Sequence, residues 1–217
     1  MFYEPKNNDH GLPYNPFKSI VIPRPIGWIS SYDSKGVPNV APYSFFNGVG
    51  FHPPILMFAS SGYFEGGRMK DSVTNARDSG EFVANMVSYD LKDQMTKTSE
   101  TLPPEVDEFD LAGLEIEPAK IVNAPMVKAS PVKMECRTIK LVELPGHKAD
   151  EPTIVTFGEV VGIHIDDDYI TADGLVDVLK IQPVARLGYM DYTSVTSVFS
   201  MEKELKEDRI INSNAAE

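Results

Sequence analysis

Cysteine is almost missing from this chain. Cys136 is the single one in 217 residues, which excludes an intrachain disulfide framework or a cysteine metal cluster and points to a reducing compartment. Histidine is nearly as scarce: the four, His10, His52, His147 and His164, stand at no metal-ligand spacing from one another. No Gly-x-Ser-x-Gly elbow of a serine hydrolase occurs, and Gly48-Val49-Gly50 lacks the third glycine and the strand-to-helix context of a dinucleotide fingerprint. Positive charge is in deficit. Twenty Lys and Arg against 32 Asp and Glu leave a net charge of -12, which repels nucleic acid and anionic membrane surfaces. No stretch approaches the roughly 18 apolar residues of a membrane span. The start, Met1-Phe2-Tyr3-Glu4-Pro5-Lys6-Asn7, has no basic segment followed by an apolar run, so a soluble cytoplasmic protein is expected. Any demanding chemistry is therefore expected from a bound cofactor.

What is present suits one generous core: 42% of residues are hydrophobic and 24% charged. A single domain over 1–217 is expected, with an extended, proline-rich arm over about 1–23 and a helix or tail over about 196–217. Ile26 to Tyr32 and Val37 to Tyr43 flank Asp33-Ser34-Lys35-Gly36, a hairpin pattern, and Pro38 and Pro42 make the second strand an edge, bulged or short one. Pro54 to Ser60 and Phe82 to Val87 read as buried strands. Between them Asp71 or Ser72 is placed to cap a helix that stops at Gly80. Tyr89 to Thr98 is helical in pattern, and the acidic run from Glu100 to Glu117 reads as a solvated loop turning at Pro103-Pro104. Val132 to Leu144 alternates until Thr138, where the phase flips, as a bulge would make it, and this puts Cys136 on the apolar face. Thr153 to Ile165 is a long strand with Gly158 and Gly162 as points of bending or close approach. Asp173 is placed to cap a short helix through Leu179. Strands outnumber helices without strand-helix alternation, so the fold class is mainly β: an antiparallel barrel with appended helices.

The stretch from Arg24 to Ser72 concentrates hydroxyls, amides, glycines and aromatics, which suits a flat apolar ligand with a polar edge. At its end Arg68 and Lys70 precede a helix start whose free N–H groups, with the Ser72 hydroxyl, suit a phosphate. On that reading Asp71 caps or pairs with Lys70 and does not touch the ligand; the competing reading makes these cations plain surface charges and Asp71 only a cap.

Several motifs in order resemble the flavin reductase-like family of FMN-binding split barrels. They are Arg24-Pro25-Ile26-Gly27-Trp28-Ile29-Ser30, Asn39 through Asn47, Pro53-Pro54, Lys70-Asp71-Ser72, Gly80 through Asn85, Gly158 through Asp167, and Ala185-Arg186-Leu187-Gly188 before Asp191-Tyr192. The resemblance implies a six-stranded antiparallel split β-barrel of Greek-key type that forms a homodimer and binds FMN. It implies hydride transfer from NADH or NADPH to the flavin and on to an unknown acceptor, with a flavoredoxin-like electron carrier as the alternative. By the same resemblance Tyr43, Ser44, Phe45, Phe46 and Asn47 run along the flavin ring, Arg24, Trp28 and Ser30 line the same cavity, and Ser60, Lys70 and Ser72 lie near the phosphate. No side chain is assigned as catalytic and no metal is implied. The pattern departs at Tyr189, where many members have a glycine, so either a narrowed entrance or a closed dimer contact is expected there. His164 has two readings: approach to a nicotinamide, or a hydrogen-bonded barrel histidine.

Overall fold

In this computed structural model, which describes residues 1–63, 67–103, 105–146, 148 and 151–201, the arm enters the body through a two-residue strand, β1 (Arg24–Pro25). β2 (Gly27–Tyr32) follows, and Asp33 reverses the chain. Its Oδ1 accepts the amides of Lys35 and Val37 at 2.8 and 2.7 Å, and Gly36 supplies the φ of +84°. β3 (Pro38–Tyr43) returns along β2 and is the edge of its sheet, where Pro38 and Pro42 forfeit no needed ladder donor.

β4 (Phe46–Phe51) and β5 (Pro54–Ser61) form a second hairpin, and α1 (Asp71–Asp78) ends at Gly80 with φ +74°. β6 (Glu81–Met86), α2 (Lys92–Lys97) and α3 (Glu108–Ala112) come next, then the short pair β7 (Ile116–Pro118) and β8 (Pro125–Val127). The long strands β9 (Val132–Leu144) and β10 (Thr153–Ile165) pair along their length. α4 (Val178–Ile181), β11 (Val184–Gly188) and β12 (Asp191–Ser194) close the described chain. The C-terminal helix or tail expected past Met201 lies outside the described residues, as does Pro104 of the proposed turn.

The main sheet runs β3-β2-β6-β9-β10-β5-β4, and a smaller one runs β1-β11-β12. This is the mainly β, antiparallel split-barrel class, with seven strands in the main sheet where six were expected. Ile139 is left over on β9, between Lys140 opposite Phe157 and Thr138 opposite Gly158, so the phase flip is a bulge. Gly158 beside it is a close approach: a Cβ there would sit 2.5 Å from the Phe82 ring.

β2 is buried on both faces. Ile29 packs with Phe58, Phe82 and Cys136 inside the barrel, while Trp28 packs with Val40, Met95 and Phe109 in a second core beneath α2 and α3. Three corrections to the sequence reading follow from long-range packing. The acidic run is only partly a solvated loop: Asp107 caps α3 by accepting from Phe109 and Asp110, and Glu108 is buried. Asp177, not Asp173, caps α4. The N-cap of α1 is Lys70, and Asp71 is already helical and pairs with Arg68, not Lys70.

His164 and Glu135 tie the barrel wall to the segment at 120–122. Glu135, fully buried, accepts the amides of Lys120, Ile121 and Val122 at 2.7–2.9 Å and bonds His164 Nε2 at 2.5 Å. Burial alone would raise its pKa, but His164 and the three amides hold it down at about 2. His164 is thus a hydrogen-bonded barrel histidine. Cys136 is buried too, and burial pushes its thiol pKa up, away from the thiolate.

Candidate functional site

Where β3 leaves its sheet at Tyr43-Ser44-Phe45, the chain passes between two clefts, and Pro42 and Ser99 line both. The larger holds about 570 Å³ and the smaller about 50 Å³. Ser44 and Phe45 face the larger, Tyr43 the smaller.

The small cleft is built on the start of α1. Lys70, its N-cap, accepts the amides of Val73 and Thr74, and among the described residues no main-chain carbonyl accepts from Asp71 or Ser72. Behind these amides runs a relay of buried side chains. Ser72 Oγ donates to Asn39 Oδ1 at 2.9 Å, and Asn39 Nδ2 donates to Glu108 Oε1 at 2.9 Å. The Ser72 proton is therefore committed to Asn39, and the hydroxyl faces the cleft only as an acceptor. Two buried atoms in the lining, the Tyr43 hydroxyl and Glu108 Oε2, have no partner at full hydrogen-bonding geometry, with Ser72 the nearby polar group for Tyr43 and the main chain at Val40 for Glu108. Burial raises the pKa of Glu108, against hydrogen bonds from Asn39 and the main chain, and raises that of Asp71, against Arg68. It raises the Tyr43 phenol as well, keeping a proton there to donate.

The large cleft carries the opposite chemistry. Phe45, Tyr14, Tyr189 and Tyr192 give it ring surface, and its charged lining is Lys18, Arg24 and Arg186, with no Asp or Glu among the described residues. The arm forms one wall. Its turn at Lys18-Ser19 sits so close to Gly188 that a Cβ there would meet Ser19 Oγ at 2.3 Å. Tyr189, with φ +44°, packs its ring on Tyr14 at 5.8 Å, and both line this cleft at the position where the sequence departs from the motif.

Several known proteins are similar to this chain. The family described as "Flavin reductase like domain" matches residues 19–180. A protein of Aquifex aeolicus (strain VF5) is 39% identical over 188 residues, spanning 87% of this chain and 92% of its own. Among solved structures, nitrilotriacetate monooxygenase component B from Bacillus cereus superposes with a TM-score of 0.84 at 27% identity, covering 93% of this chain and 98% of the other. The 2-nitrobenzoate 2-nitroreductase of Pseudomonas fluorescens does so with 0.79 at 25%, covering 95% and 98%. The chain belongs to the flavin reductase-like family. A flavin-related oxidoreductase or electron-transfer role goes with that membership.

The small cleft fits the anionic end of a flavin through Lys70, the amides at the start of α1 that no main-chain carbonyl takes among the described residues and the Tyr43 hydroxyl, while Phe45 and Ser44 offer a ring face and a polar edge next door. Arg24, Tyr43, Ser44, Phe45, Lys70 and Ser72 are thus brought together around the two clefts. The other expected residues are not. Trp28 is fully buried and donates its Nε1–H to Thr98 Oγ1 at 2.8 Å, and Ser30, also fully buried, donates to the Pro125 carbonyl and accepts from Asn85. Both are corrected from cavity lining to core, because the layer of α2, α3 and β8 covers their face of β2. Phe46 turns its ring onto Gly27, where a Cβ would lie 2.3 Å from it, Asn47 is exposed on β4, and Ser60 is buried on β5 with its hydroxyl unpaired. None of the three lines either cleft. Sequence reasoning missed Glu108, hidden in an acidic run, and Lys18, hidden in the arm.

Proposed function

We propose that this protein is an FMN-dependent oxidoreductase, reduced by NADH or NADPH and oxidised by a second acceptor. The observation that carries the reading is the Pro42–Phe45 segment, whose consecutive residues face a small cleft with phosphate-binding groups on one side and a roomy aromatic cleft on the other. Lys70 and the amides of Asp71 and Ser72 would hold the phosphate, with Tyr43 donating a further hydrogen bond. Ser44 and Phe45 would hold the ring. A bound flavin supplies the chemistry, accepting a hydride from the nicotinamide and releasing electrons to the acceptor. The residues of the chain bind, orient and exclude water, and holding two reactants in register is itself a large part of catalysis, so no acid or base is required of them. The test is a titration of purified protein with FMN, followed by NADH or NADPH without air while the flavin absorption is watched. Bleaching of the bound flavin by either nucleotide is expected. Failure to bind FMN sinks the reading.

One observation favours a second reading, an FMN-binding electron carrier of flavoredoxin type: the net charge of -12 would steer a basic redox protein to the surface. Flavin that both nucleotides leave oxidised, but that a redox protein reduces, decides for the carrier.

A further inference from the structure

The large cleft, which would take the flavin ring against Ser44 and Phe45, holds an arrangement that neither that ring nor a phosphate in the small cleft uses. Arg24 and Arg186 are direct cross-strand partners in the β1–β11 ladder, so their side chains leave the same face side by side. Like charges so placed repel. Burial lowers the pKa of Arg24, and the charge of Arg186 lowers it further. A pair of this kind is ordinarily offset by a carboxylate, yet among the described residues neither guanidinium forms an ion pair, in a chain with 32 acidic residues.

Every partner they have among the described residues is neutral. Arg24 Nη1 donates to the carbonyls of Lys18 and Val21, and its guanidinium lies 5.5 Å from the Phe45 ring centroid. Arg186 donates to the Tyr192 hydroxyl and the Tyr189 carbonyl, and stacks 4.3 Å from the centroid of Tyr192. These contacts fix both planes from behind without cancelling charge. Arg24, only 5% exposed, keeps Nε buried without a partner, and its Nη2 makes no hydrogen bond among the described residues. That unspent side is the fork with which arginine takes two oxygens of one oxyanion. Pinning the arm accounts for Nη1 of Arg24. It does not account for Nε, nor for a second arginine opposite, nor for Lys18 on the same wall.

We infer that Arg24 and Arg186, with Lys18 at the rim, form a receptor for an oxyanion, phosphate or carboxylate, carried by the second substrate that enters the large cleft. The inference rests on the flavin reading for calling that molecule a second substrate; the oxyanion site itself does not depend on it. The aromatic lining from Tyr14, Tyr189 and Tyr192 suits a flat group beside the oxyanion, as in a nucleotide base or an aromatic acid.

The experiment measures binding by calorimetry at low salt, with inorganic pyrophosphate and with benzoate, on the full chain with and without FMN. Wild type is expected to bind at least one probe in both forms, with affinity falling as salt is added. Binding of pyrophosphate alone assigns the oxyanion to the nucleotide donor; binding of benzoate assigns it to a carboxylate acceptor. Arg186→Gln, at a partly exposed position, is expected to weaken the probe about tenfold or more while leaving FMN affinity within about twofold. Lys70→Ala is expected to do the reverse. No probe bound by wild type, or equal binding by Arg186→Gln, overturns the inference. So does an Arg186→Gln protein that loses FMN while Lys70→Ala keeps it, since the arginines would then hold the flavin's own phosphate. A wild-type protein that binds the probe but no FMN overturns the flavin reading and leaves the oxyanion site standing.

Discussion

The two clefts share Pro42 and Ser99 and differ in nearly everything else. Among the described residues the small one has one cation, Lys70, and three acidic side chains, Asp71, Glu100 and Glu108. The large one has three cations and, among the described residues, no acid. In the small cleft burial moves Asp71 and Glu108 towards their neutral forms and a hydrogen-bond relay holds Asn39 and Ser72 in place. In the large cleft the charges stay, and carbonyls and rings steady them. An acidic chain thus makes room for anions in two ways: by burying acids so that their charged forms are penalised next to one cation, or by excluding acids from around several.

The strongest way to break this comparison is Lys70→Ala. If the small cleft holds the phosphate, losing its one cation should cost FMN about 1.5–3 kcal/mol, which is roughly ten- to a hundredfold in Kd. Equilibrium titration of FMN fluorescence measures it, and an affinity within twofold of wild type would move the phosphate elsewhere.

Much of this contrast was out of reach of the sequence, and the reason is physical. The hairpin of β2 and β3, the edge position of β3, the bulge at Ile139 and the stop at Gly80 are local: turn chemistry, missing proline donors, a phase slip and a left-handed glycine are each visible within a few residues. The Lys70-Asp71-Ser72 helix start was legible for the same cause, though not which residue caps it. Arg24 and Arg186 face each other only through the β1–β11 register, which no local pattern encodes. Glu108 looked solvated because its partner Asn39 is far off in the chain. Trp28 and Ser30, which the resemblance puts on the cavity, lie in the core because α2, α3 and β8 cover their face of β2, a covering made by segments far off in the chain.

Gly188→Ala attacks the large cleft through its wall. A Cβ would lie 2.3 Å from Ser19 Oγ and 2.6 Å from the Lys18 carbonyl, at a φ of +97° that side chains rarely adopt. The strain should cost about 1–3 kcal/mol of stability, read as a lower thermal midpoint. If the arm yields instead, oxyanion binding falls while FMN binding holds. Unchanged melting and unchanged oxyanion binding together would show that the arm does not shape this cleft.

Tyr43→Phe sharpens the small cleft. The hydroxyl it removes is buried without a partner at full hydrogen-bonding geometry, so the flavin-free protein should be no less stable, whereas FMN should bind about 0.5–1.5 kcal/mol more weakly. Loss of stability without loss of affinity would mean that the hydroxyl serves the fold and not the ligand.

Glu108→Gln is the finest test, because it asks whether the Glu108 carboxyl, once ionised, opposes a phosphate in the small cleft. The folded pKa of Glu108 is raised above its ordinary value, chiefly by burial. Its acid form is therefore favoured by folding; as pH rises from the ordinary carboxylate range through the raised folded value, stability is lost and a negative charge arises beside the phosphate. Gln keeps an acceptor for Asn39 and carries no charge at any pH. At pH 7 the variant should be slightly more stable and bind FMN tighter by about 0.5 kcal/mol, the Coulomb energy of a well-screened pair. The phosphate itself titrates near pH 6, and Asp71 stays in place, so neither pH profile is informative alone. Their difference cancels both: it should grow from near zero at acid pH to its full value above the Glu108 transition, and a difference flat in pH would show that the carboxyl does not sense the ligand.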